Sequence, residues 1–339
     1  MLYVVIAFLY ISILFYLLFG GADFGAGIIE LFTKDSKKEQ TRLLTYQAIG
    51  PIWEANHMWL IIAIVILFVG FPEIYTTVSV YLHIPLSLLL IGIIARGTAF
   101  IFRHYDAVKD HFQKIYNVIF VYSSFMTPLF LGILAGSVIS GRIDPNATDF
   151  VSAYIDPWLG IFPISVGIFT VVICGLLAAI YLIGEADTDE DREIFRKKAL
   201  RMNILTVIMG GLVFLAGELE GLSLARQLLQ HPLGLMALIA ASLSLPFSWI
   251  QLKKGKVNSL RVLTGFQVTM ILFTLFSSQY PDFIRMKNST LTLENAAAGP
   301  ATLNSLGIAL LVGSIFILPT LFYLIYSFQK TPYKIGKLD

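Results

Sequence analysis

AIGPIWEANHMWLIIAIVILFVGF, residues 48–71, holds a membrane helix with a chemical problem in its first turns. From Leu60 to Phe71 it is almost all hydrocarbon, and Pro51 suits the first turn of a helix. About 20 apolar residues are enough to cross a bilayer. Yet the opening turns carry Trp53, Glu54, Asn56, His57 and Trp59. An ionisable side chain deep in a span costs roughly 3 kcal/mol unless it is paired or wet, so by default it marks a functional site. Glu54 and His57 are three apart and Trp53 and His57 four apart, so one helix face is expected to present all three. The plainer reading keeps Glu54 as an acid in headgroup water, favoured by the helix dipole.

The rest of the chain shares this character. Of its 339 residues 57% are hydrophobic and 14% charged, with a mean hydropathy of +0.78. A soluble domain is about 45–50% apolar and about 25% charged. The chain is therefore an all-α, polytopic membrane protein. A net charge of +2 has meaning only through its location, and no nucleic-acid partner is expected. The single cysteine, Cys174, lies in an apolar run and reads as packing. The N-terminal stretch MLYVVIAFLYISILFYLLF lacks a basic leader, so it reads as a retained first span.

Nine hydrophobic segments follow one another at about residues 2–31, 49–71, 75–102, 116–139, 159–183, 200–215, 232–250, 260–278 and 303–328. They form one integral membrane domain, 1–339, expected as a four-helix unit (1–139), a second (159–278) and a final span (303–328). Alternate loops are basic: Lys34, Lys37, Lys38 and Arg42; Arg103, Lys109 and Lys114; Arg192, Arg196, Lys197, Lys198 and Arg201; Lys253, Lys254, Lys256 and Arg261; and the tail with Lys330, Lys334 and Lys337. The opposite loops hold only Arg142, Arg226, Arg285 and Lys287. Basic loops stay in the cytoplasm, which puts the N-terminus outside and the C-terminus inside. The acidic run EADTDEDRE, 185–193, reads as a solvated loop. The stretch 279–304 is too polar to span and is expected to pack over the outer surface.

Beyond Glu54 and His57, the spans contain Asp23, His83 and Arg96. At about 1.5 Å of rise per residue, Asp23, Glu54 and Arg96 share the cytoplasmic half at comparable depth. An Arg96–carboxylate pair is the cheapest way to keep them there. His83 lies several turns away, towards the outside, so the two histidines are not placed to sandwich a haem. GGADFGAG, 20–27, is a small-residue face suited to close helix approach around Asp23.

Several stretches together resemble a known family. GADFGAG (21–27), IGPIWEANHMWL (49–60), RGTAFIFRHYD (96–106), and YPDF with NSTLTLENAAAGPATL (280–303) are similar to subunit II of cytochrome bd-type quinol oxidases, over nearly the whole chain and in order. The resemblance implies that this chain binds no cofactor. Haem b and haem d are expected in a partner, subunit I, which forms a heterodimer with it, with small accessory subunits as further members. Quinol and dioxygen are the substrates of the complex, in the plasma (inner) membrane. Glu54 matches a carboxylate of the family's cytoplasmic proton path, Asp23 the acid of its Asp-Phe-small-Gly motif, and Arg96 and Arg103 its Arg…Phe-x-Arg pattern. The candidates are thus Glu54, Asp23 and His57 for the path, with Arg96, Arg103, Trp53, Asn56 and Trp59 as ion-pair or structural partners. Glu54 stands where some relatives have Asp, His57 where Gln or Glu is common, and an acid is missing from Gly20-Gly21-Ala22. These departures suggest a divergent, cyanide-insensitive-like branch. Two other classes fit the residues less well: a proton-coupled secondary transporter, for which no second Gly-broken span appears, and a purely structural scaffold.

Overall fold

Ile161–Glu185 is the helix around which the others assemble. In its most apolar 18-residue stretch 72% is buried, against 11% in Pro300–Leu321 at the periphery. The computed structural model describes residues 1–49, 53–105, 112–186 and 188–330. Among these, nine helices are long and apolar enough to cross a membrane: Leu2–Leu31, Trp53–Gly70, His83–Arg103, Phe112–Ile139, Ile161–Glu185, Asp189–Leu219, Pro232–Lys254, Val257–Gln279 and Pro300–Leu321. We number them as spans one to nine. The fold is all-α, as the composition requires.

Spans one and two pack together, as do three and four, five and six, and seven and eight. Spans one and four meet the central fifth, and the ninth leans on one and two. Close approach is made by glycine. At Gly25 a Cβ would run into the Cys174 backbone of span five, and at Gly27 into the Ser124 side chain of span four. Cys174 is fully buried there, as packing.

Three expectations change, and a fourth stretch gains detail. The third span starts at His83 rather than near residue 75, because Pro72–Tyr81 is a separate helix. Pro85 has no N–H to offer the Tyr81 carbonyl, and the chain turns at Leu82 (φ −114°, ψ 22°). The basic stretch after span one is a helix, Asp35–Ile49, with Thr41, Leu44 and Thr45 turned inward at helical spacing. The acidic run is largely helical: Glu185 ends span five and Asp189–Glu193 open span six. Thr188 caps it by accepting the Asp191 N–H (3.1 Å), and Asp189, Glu190 and Asp191 fill the first turn, where the dipole favours acids. Gln40 Nε2 donates to Asp191 (2.8 Å), tying the two pieces together. Finally, the 279–304 stretch contains an antiparallel hairpin, Asp282–Arg285 with Thr290–Thr292. It packs on the end opposite the basic helix. The Lys287 N–H donates to Ile143 O (2.9 Å) and its Nζ lies 3.0 Å from Asp144 Oδ2, while Ile284, Leu291 and Leu293 join the core under Phe71 and Ile74. Pro51 falls outside the described residues.

Candidate polar site between spans one, two and three

Seated by its glycines, span one carries Asp23 into full burial. Arg96, also buried, reaches it from span three. Its Nη2 donates to Asp23 Oδ1 at 2.6 Å and to the Asp23 carbonyl at 3.1 Å. Such a short contact is a charge-assisted bond between ions. The guanidinium lies over two rings, Phe24 (5.1 Å) and Phe120 (5.3 Å), which shield it from lipid without removing its charge.

The other Asp23 oxygen faces span two. His57 Nε2 stands 3.8 Å from Oδ2, too far for a hydrogen bond but close enough to become one after a small shift. The imidazole sits among Phe24, Tyr16 and Trp53, with ring centroids at 5.8, 6.0 and 6.2 Å. Trp53 lies over Gly97 and against Phe100 (5.3 Å), locking span two to span three. Asn56 and Trp59 are buried on the same inward side, Trp59 edge-on to Phe15 at 4.6 Å. Five buried polar atoms here have no hydrogen-bond partner among the described residues: Asp23 Oδ2, His57 Nδ1, Arg96 Nε and Nη1, and the Tyr16 hydroxyl.

Glu54 is not brought into this group. Its side chain is exposed and makes no hydrogen bond or ion pair among the described residues. It shares an outward stripe with Ile61, Val65 and Phe68, at spacings of seven, eleven and fourteen. A step of three residues turns a helix about 60° short of a full revolution, enough to send His57 inward and Glu54 out. Arg96 therefore takes Asp23, not Glu54, as its carboxylate.

A second pair was missed in the sequence. Glu30, buried at the end of span one, accepts from Arg103 Nη2 (2.7 Å) on one oxygen and from Arg42 Nε (3.1 Å) on the other. The signal was there: Asp23 and Glu30 are seven apart, as are Arg96 and Arg103, so two parallel rows pair in register.

The two described span histidines lie far apart and in different surroundings. His57 aims Nε2 at Asp23 and is ringed by aromatics; His83 binds the Val80 carbonyl through Nδ1 (2.9 Å) and stands on Tyr154 (5.1 Å), on another helix near the opposite end. An apolar cavity of about 480 Å³ lies between spans one, two and four to eight, with Tyr16 in its wall.

The family profile of cytochrome bd terminal oxidase subunit II matches residues 1–328. Among curated proteins, "Cytochrome bd ubiquinol oxidase subunit 2" of Bacillus subtilis is 24% identical over 97% of this chain and 95% of its own length. "Cytochrome bd-I ubiquinol oxidase subunit 2" of Escherichia coli is 24% identical over 40% of this chain and 34% of its own. The fold is that of a chain in the bd oxidase structure from Geobacillus thermodenitrificans, with a TM-score of 0.78, 19% identity, and coverage of 96% of this chain and 98% of that one. The chain belongs to the cytochrome bd terminal oxidase subunit II family, and is accordingly one membrane-spanning subunit of a respiratory quinol oxidase, an oxidoreductase that includes a subunit I.

Proposed function

We propose that this subunit passes protons from the cytoplasmic side towards subunit I, with Glu54, His57 and Asp23 as the groups that carry them. Haem b and haem d sit in subunit I on this reading, where quinol is oxidised and dioxygen reduced to water. The basic end, with Arg42 and the Asp35–Ile49 helix, faces the cytoplasm of a plasma-membrane complex, and the N-terminus lies outside. Residues 1–139 and 159–278 act as two four-helix units, with the final span beside the first.

The observation that carries the reading is the direction of Glu54. An acid in the first turn of a membrane span, turned away from its own fold and in line with the exposed Ile61, Val65 and Phe68, suits a protein partner better than lipid. Covered by a partner subunit, the same stripe becomes an interface with one ionisable group in it. One turn inward, about 4.5 Å of rise away, His57 meets the free oxygen of Asp23. A carboxylate at the interface, an imidazole and a half-engaged carboxylate thus follow one another across two helices. Arg96 holds Asp23 in place and keeps a cation beside it.

The test is a pair of substitutions in the whole complex. Gln preserves the shape of Glu54 but cannot exchange a proton near neutral pH. Glu54→Gln is expected to assemble with its haems and to lose most quinol-driven oxygen consumption, whereas Glu54→Asp retains much of it. Wild-type turnover in fully assembled Glu54→Gln would refute the role. Since Arg96 pairs with Asp23, loss of assembly is not expected from this substitution.

A further inference from the structure

Span one departs from α-helical geometry for one turn, Tyr16–Gly20, which is π-helical. Such turns are rare inside α-helices and are frequently found at functional sites. This one lies directly ahead of Asp23. The Tyr16 ring runs along the helix over Gly20, so close that a Cβ there would come within 3.0 Å of Cε2. The glycine thereby lets the phenol extend towards Phe24, which it meets edge-on at 6.1 Å, and His57, at 6.0 Å.

Tyr16 is 3% exposed, and its hydroxyl has no partner among the described residues. Phenylalanine would fill the space without a buried hydroxyl to satisfy, and buried phenols nearly always find a partner. Asp23 Oδ2 and His57 Nδ1 are in the same position, around the same cluster of rings. An internal water typically makes about three hydrogen bonds to just such unmet groups. Tyr16 also forms part of the wall of the apolar cavity.

We propose that Tyr16 is a further member of this site: its hydroxyl shares an internal water with Asp23 and His57 and relays protons through it. In one relay step the phenol oxygen accepts a proton from its hydrogen-bonded neighbour while its own proton leaves to the next group, so the side chain ends neutral. The inference rests on the proton-path reading above and adds a residue to it.

The test uses assembled complex, with rates expressed per complex so that lower yield does not enter. Tyr16→Phe keeps the ring contacts and removes only the hydroxyl. It is expected to lower oxygen consumption severalfold, more steeply as pH rises and protons become scarce, and to enlarge the ratio of rates in H₂O and D₂O. Gly20→Ala, which displaces the ring but keeps the hydroxyl, is expected to act in the same direction. A purely structural role for Tyr16 would leave the pH profile and the isotope ratio unmoved. Wild-type rate, profile and ratio in both variants, with Asp23→Asn slow, overturns the inference and leaves the path standing. If Asp23→Asn is also as fast as wild type, the path itself fails and Tyr16 with it.

Discussion

Asp23 and Glu30 lie on one helix and take their arginines from another, with the same spacing, yet they end in different electrostatic states. Glu30 has both oxygens occupied, by Arg103 at 2.7 Å and Arg42 at 3.1 Å. Asp23 has one oxygen on Arg96 at 2.6 Å and the other facing His57 at 3.8 Å with no hydrogen bond. Phe120 lies between the tiers, 5.3 Å from the Arg96 guanidinium and 4.7 Å from that of Arg103. A carboxylate with a guanidinium on each oxygen is held in place from both sides, as a pin is. One held at a single oxygen keeps a site for chemistry. The same pairing is thus made twice, closed at the basic end and left open further in.

The largest effects are expected from removing one member of either pair. Arg96→Leu strands a buried carboxylate, a change that costs about 3–5 kcal/mol, and Arg103→Leu leaves the buried Glu30 with only the partly exposed Arg42. Little complex should be recovered from membranes in either case. The double substitutions separate the tiers. Asp23→Leu with Arg96→Leu removes both charges and should restore assembly but not turnover. Glu30→Leu with Arg103→Leu should restore assembly together with turnover. If the two doubles behave alike, the distinction between pin and open site fails.

Arg42 sharpens the comparison at a smaller scale. Its side chain is 30% exposed, so water screens its bond to Glu30. Arg42→Ala should lower the thermal midpoint of the complex by an amount equivalent to about 1 kcal/mol or less, without changing the rate per complex. A large loss of assembly would mean that Arg103 alone does not hold Glu30.

The smallest effect lies at the opposite end, where the hairpin meets Asp144. The hydrogen bond from Lys287, with that from the Asn146 N–H, holds the Asp144 carboxyl below its usual range. A depressed carboxyl stabilises the folded form above its unfolded value, about 3.9, and that stabilisation is lost as pH falls through the lower folded value. Exchange of the Lys287 amide, bonded to Ile143 O, should therefore be insensitive to this contact from neutral pH down to about 4 and speed up below it. Asp144→Asn should abolish that acid limb.

Much of this was legible in the chain itself. Nine apolar segments and alternating basic loops are visible because hydrocarbon length and charge are local properties of sequence. Asp23, His57 and Arg96 stood out because ionisable groups in a span are rare. Glu30 was overlooked because it ends an apolar run, where an acid looks like a solvated boundary; only its spacing from Asp23, matched by Arg96 and Arg103, betrayed it. The outward turn of Glu54 was hidden for another reason. Positions three apart count as one face in a sequence pattern, but 60° of rotation separates a side chain inside the fold from one outside it. The hairpin at 282–292 depends on a partner far along the chain, Ile143, whereas the helix start at Thr188 carries a local cap with Asp191 that its dense charge disguised as a loop.

Proton uptake during the reaction of the reduced complex with dioxygen, followed with a pH indicator in Asp23→Asn and Glu30→Gln side by side, addresses the open site most directly. Each substitution removes one charge from a buried pair, so both should reduce yield, and the rate per assembled complex is the quantity to compare. The expected result is slow uptake in Asp23→Asn and wild-type uptake in Glu30→Gln. Equal rates in the two variants, or slowing confined to Glu30→Gln, would contradict a proton path through Asp23.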